Sequence, residues 1–239
     1  MRRIGILTYY LLYDLSRAAA GIVPLALALA FGLIAFEYGM DQAQFITVAG
    51  VGIGAICLVS GLMLAGRSNR ASCFPLLARV HSRVELLAAL VVGSLAITAV
   101  LALLITVANL LAGRLTLDFP TAFWILPTWL VLWLLAASLA LPLSTLTSRS
   151  GTHLLGYSLL AALLVANDQK PWLAARGWDW MLRVVTAVLW PVSTLLGQAS
   201  AGQHGSTYWL SLALTCLYAA LIFGLAVQLF DDKDLLWVE

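Results

Sequence analysis

The chain has 239 residues, 62% of them hydrophobic and only 10% charged, with a mean hydropathy of +0.98; soluble domains carry about 25% charged residues, so a water-soluble enzyme or binding domain is excluded and an integral membrane protein is indicated. The net charge of +2 comes from basic residues spread over separate loops rather than gathered in a tract, which argues against nucleic acid as a partner. Cys57, Cys73 and Cys216 show no C-x-x-C spacing, so neither a metal site nor a disulfide is expected.

Residues 1–17 place Arg2, Arg3 and Arg17 around Ile4, Leu7, Leu11 and Leu15, which share one helical face with Asp14 near its edge. A basic tail before the first span and a helix lying in the inner interface both fit; the interfacial helix is the expectation carried forward. No cleavable leader is evident, because the first apolar run, from about Ala18, is long enough to span and lacks a small-residue cleavage site.

A membrane-spanning helix needs ~20 largely apolar residues. Six segments meet or approach that length: 18–36, 44–66, 84–112, 122–147, 152–167 and 207–230. The stretch 168–206 is harder to place: its centre, Trp180 to Leu196, is apolar but interrupted by Pro191, with too little on either side to cross alone. It is expected to form a re-entrant helical hairpin before the last span, or to lie on the outer surface. The fold class is therefore all-α: one polytopic membrane domain of six spans, an interfacial helix and a hairpin.

Six crossings put both termini on one side. With the termini inside, nine basic residues (Arg2, Arg3, Arg17, Arg67, Arg70, Arg79, Arg83, Arg149 and Lys233) are cytoplasmic, and four (Arg114, Lys170, Arg176 and Arg183) are outside. Cationic loops are retained in the cytoplasm, so this orientation is expected. Aromatic residues at span ends, among them Phe123, Trp124, Trp180 and Trp209, suit the headgroup level.

Within the spans, Gly50 and Gly54 form a small-x-x-x-small ridge in the GVGIG string, which suits internal packing or contact with a second copy. Ser94, Thr98, Thr106 and Asn109 in the third span, and Ser138, Ser144, Thr145 and Thr147 in the fourth, are read first as hydroxyls and amides bonded back to their own helices. A substrate path is the alternative. Pro127 and Pro142 are expected to kink the fourth span. His81, His153 and His204 fall in different loops, so a shared metal site is not expected. Glu37 with Asp41, and Asp231 with Asp232 and Asp234, read as solvated acids.

There is no G-x-x-x-x-G-K-[ST] loop, no H-E-x-x-H, no G-x-S-x-G and no mid-span carboxylate pair. The chain has neither a nucleotide-binding loop nor the buried charges that ion-coupled carriers use. The most distinctive polar stretch is Arg67 to Glu85, RSNRASCFPLLARVHSRVE, with four arginines between two uncharged apolar segments. Phe74, Leu76, Leu77 and Val80 recur there at helical spacing, and Pro75 suits a first helical turn. A short amphipathic helix at the cytoplasmic surface calls for a partner on its apolar side.

The run NRASCFPLLARVHSRVELLAAL resembles the cytoplasmic loop of permease subunits of type-2 ATP-binding-cassette (ABC) exporters. That loop has an LL-x-x-P-like core followed by Ser-Arg and an acidic residue before the third span. Leu76, Leu77, Ser82, Arg83, Glu85 and Leu86 stand in the corresponding order. Pro75 precedes the leucine pair, and Arg79-Val80 occupy the later site. The resemblance implies a permease in the plasma (inner) membrane of a prokaryote, paired with a second permease subunit and with cytosolic ABC ATPase subunits that hold ATP and Mg. It makes Phe74, Leu76, Leu77, Arg79, Val80 and Arg83 an ATPase-coupling surface, with no catalytic, cofactor or metal residue in this chain. The other reading of the same loop is a non-transporting membrane anchor that recruits a cytosolic partner.

Overall fold

A computed structural model describes residues 2–38, 41–68, 82–117, 119–144, 146–147 and 175–231, and these are entirely helical or connecting turn, with no strand among them. Six helices in this set are long and apolar enough to cross a membrane. Numbered in chain order, α1 is Arg2–Ser16 and α2, entered through a 3-10 turn at Ala19–Gly21, is Ile22–Tyr38. Helix α3 runs over Gln42–Ser68, α4 over Arg83–Leu111 and α5 over Phe119–Leu143. Helix α6 covers Asp179–Ser200 and α7 covers Ser206–Asp231.

Five of the six expected spans coincide with α2, α3, α4, α5 and α7 to within a few residues. The other, 152–167, lies outside the described residues. The region 168–206 departs from expectation: Pro191 lies inside α6, which continues unbroken for 22 residues and is itself long enough to cross. In an apolar medium every freed backbone group is costly, so a helix carries on through a proline more readily than it stops there. The C-terminal half of α6 (Pro191, Leu195 and Ala199 buried) joins the main core through Leu195 and Ala199, whereas Val185 packs separately with Met181, Leu182 and Leu189.

Side-chain contacts give the helices their directions. Trp129 Nε1 on α5 donates to the Ile46 carbonyl near the start of α3 (3.1 Å), and the Cys57 thiol donates to the Trp133 carbonyl further along both (3.4 Å). Helices α3 and α5 therefore run the same way. Thr128 and Tyr208 share a hydrogen bond of 2.9 Å, which sets the start of α7 beside the first half of α5. Arg83, at the start of α4, reaches Phe230, at the end of α7, so α4 runs opposite to α7. At the far end Arg114 sits over the Phe36 ring, bringing the ends of α2 and α4 together.

The core lies along α5, which packs chiefly on α3 and α7. Over half of its most apolar stretch is buried, against 17% for α2, a peripheral helix. Close approach is made by small residues, as expected where lipid is as apolar as leucine and packing must hold helices together. A methyl built on Gly61 would lie 2.7 Å from the Ala140 methyl, and one on Gly52 would strike the Phe31 ring. The expected Gly50–Gly54 ridge divides: a methyl on Gly50 would press on the Trp129 indole at 2.9 Å, but one on Gly54 would meet nothing within 4 Å.

The polar residues of the spans are largely satisfied within their own helices. Ser60, Ser94, Thr98, Thr106 and Thr215 donate to carbonyls three or four residues back, and Asn109 Nδ2 does the same to Ile105 at 2.8 Å. Asp41, read as a solvated acid, is exposed and also caps α3: its carboxylate accepts from Gln44 N at 2.7 Å while Gln44 Oε1 accepts from Asp41 N.

Candidate functional site

The expected coupling surface falls between the end of α3 and the start of α4. Phe74, Leu76, Leu77, Arg79 and Val80 lie outside the described residues, as do Cys73 and His81. Arg83 and the two helix ends that bracket them are described.

Arg67 in the last turn of α3 donates from Nε to Asp14 Oδ2 of α1 at 2.7 Å, with both side chains partly shielded. A charge-assisted hydrogen bond of this length is stronger than a neutral one, though its partial exposure holds its net contribution to about 1 kcal/mol. Next to it Ser68 is buried and donates to the Ala65 carbonyl at 2.8 Å, closing the helix end. Across the gap Ser82 caps α4, its Oγ accepting from Val84 N at 3.2 Å, and Glu85 occupies the first turn, where the helix dipole favours an acid. Arg83 donates through Nη1 to the Phe230 carbonyl and lays its guanidinium 5.3 Å over the Phe230 ring.

The two arginines thus fasten both ends of the 67–85 stretch into other helices: Arg67 to α1, Arg83 to α7. Helix α1 is itself seated on α4, with the Thr8 hydroxyl donating to the Ala89 carbonyl at 3.3 Å and Leu11 and Leu15 buried. The face expected to carry Ile4, Leu7, Leu11 and Leu15 is the one that packs inward. Four helices meet at this end through salt-bridge, hydrogen-bond and ring contacts. Such an arrangement can transmit displacement from one helix to another.

Asp14 is the residue whose role the sequence obscures. It reads as a blemish on an apolar face, yet it is the counter-charge that Arg67 requires. The only signal is that an acid stands where a hydrophobic residue would pack better.

A second cluster gathers at the opposite end. His204 stacks on Trp124 with ring centroids 4.3 Å apart, and Tyr208 and Trp209 meet Trp124 edge-on. These side chains fill one another's space and knit the α6–α7 turn to the start of α5. Among the described residues no three His, Cys, Asp or Glu side chains come together as a metal site would need.

Six apolar helices, hydroxyls bonded back to their own helices and small-residue contacts define the class: a polytopic helical membrane protein. No protein-family model, curated protein or solved structure matches the chain.

Proposed function

We propose that this chain is the membrane permease subunit of an ATP-driven ABC exporter, working as a dimer with hydrolysis carried out by a separate cytosolic subunit. The observation that carries the reading is the double fastening of 67–85: Arg67 to Asp14 and Arg83 to Phe230. A loop gripped by an ATPase does work on the spans only if its ends are tied to them, and here each end is tied to a different helix. The sequence resemblance supplies the partner, and the absence of a nucleotide loop in this chain requires one. In this reading the basic end is cytoplasmic, α1 lies at the inner interface and Gly54, with open space before it, is free to meet the second permease. Helix α6 is unbroken over Asp179–Ser200, so a re-entrant hairpin before the last crossing would not have its bend at Pro191.

Co-expression with a cassette ATPase encoded beside this chain tests the proposal. The two are expected to co-purify and to hydrolyse ATP, and replacing Leu76 and Leu77 with Ala should release the ATPase. Failure to associate would overturn the reading.

A non-transporting anchor is the second reading, and it too has an observation behind it. Among the described residues of the third span, the Thr98 and Thr106 hydroxyls and the Asn109 amide are spent on their own helix carbonyls rather than turned toward a substrate. An anchor predicts that Ser138→Ala and Asn109→Leu leave function intact; a permease predicts altered transport.

A further inference from the structure

We propose that the hollow between α1, α2 and α4 holds one acyl chain of an anionic phospholipid, with Arg17 engaging its headgroup. The hollow has a volume of about 350 Å³ and is lined by Leu12, Leu15, Pro24, Leu25, Ile97 and Leu101, with Ser16 at the end of α1 the one hydroxyl. That volume is within the ~300–1,000 Å³ of small-ligand sites. Leu15, Pro24 and Leu101 form buried walls, while Leu25 and Val100 are exposed at the rim, so the hollow opens sideways.

The depth of the hollow follows from α2. The apolar segment Ala19–Glu37 has 19 residues and at 1.5 Å per residue spans ~28 Å, close to the hydrocarbon thickness. Arg17 and Glu37 therefore mark the two headgroup levels. Gly21 and Leu25 lie ~6 and ~12 Å inward from Arg17 on the same scale. The hollow begins just beneath the headgroups and runs into the tails of the same leaflet. Its shape depends on the sharp elbow between α1 and α2, where a methyl on Gly21 would stand 2.5 Å from the Leu15 carbonyl oxygen.

What selects the occupant is charge. An acyl chain gains little by leaving other tails for an apolar groove, because the two media are equally apolar. Arg17 supplies the difference. It is exposed, its guanidinium rests 5.0 Å over the Tyr13 ring, and it pairs with no carboxylate among the described residues. Asp14, one turn earlier, is held by Arg67. An arginine at the membrane surface is worth about 1 kcal/mol toward an anionic lipid, or about fivefold in occupancy. The inference does not depend on the chain being a transporter.

The test reconstitutes the full chain in vesicles of equimolar phosphatidylcholine and phosphatidylglycerol, each in turn carrying a diazirine in one acyl chain, and maps cross-linked peptides by mass spectrometry. Peptides containing residues 12–25 and 96–101 are expected to favour phosphatidylglycerol about fivefold. Exposed belt positions such as Leu104 and Leu221 should show no preference. Arg17→Gln should abolish the preference while leaving acyl labelling in place, and Arg17→Lys should keep it. Ala96→Trp should remove labelling at the hollow alone. Equal ratios at hollow and belt in the unmodified chain, or a preference untouched by Arg17→Gln, would overturn the proposal.

Discussion

Replacing Gly61 with Ala puts the packing argument to its sharpest test. The added methyl would stand 2.7 Å from the Ala140 methyl, about 1 Å inside the usual carbon–carbon separation. Ala140 has no rotamer by which to withdraw, and it is fully buried, so α3 and α5 must part. Overpacking of this kind costs about 1–3 kcal/mol. Gly54, seven residues earlier on the same helix, meets nothing within 4 Å, and there alanine should stabilise by about 0.5–1 kcal/mol through the ordinary helix preference. Exchanging the pair, Gly61→Ala with Ala140→Gly, returns one methyl to the contact and should recover most of the loss. The assay is reversible unfolding of the monomeric chain in mixed detergent–SDS micelles, run as a double-mutant cycle. The reasoning is refuted if Gly61→Ala is no more harmful than Gly54→Ala, or if the exchange is simply the sum of its parts.

Asp14→Ala and Arg67→Ala should each loosen α1, with a coupling of about 1 kcal/mol that shrinks at high salt; hydrogen exchange along Arg2–Ser16 reads it, and additive effects would remove the latch. Tyr208→Phe combined with Thr128→Val should show a coupling of about 0.6 kcal/mol, the usual size of one interhelical hydrogen bond in a membrane; the same unfolding assay measures it, and zero coupling counts against the contact. Cys57 is fully buried and half-buried Cys216 lies within an apolar span, so a membrane-impermeant maleimide should modify only Cys73, and from the cytoplasmic side. Modification of Cys73 from the exterior would invert the topology and remove the coupling proposal with it.

Much of the helix layout was legible in one dimension. The hydrocarbon thickness is a length criterion, and five expected spans match helices whose ends differ by a few residues. Hydroxyl back-bonding is equally local, since Thr98 and Thr106 look only four residues back. At Pro191 local propensity and fold diverge: the proline's local penalty is outweighed by the cost of freeing backbone groups in an apolar medium, and α6 runs through it.

The coupling surface was legible only as a pattern, and of its named residues Arg83 alone is described. What the sequence by itself determined is where five of the apolar helices lie and roughly where they end, because both depend on near neighbours in the chain. Which glycine meets a neighbour, which acid answers Arg67 and where a groove opens were decided by tertiary structure. Asp14 and Arg67 are 53 residues apart, and Arg83 and Phe230 are 147 apart. Such pairs meet only once each helix has taken its rotation and depth against the others, and rotation is set by packing around the whole bundle rather than by any one segment.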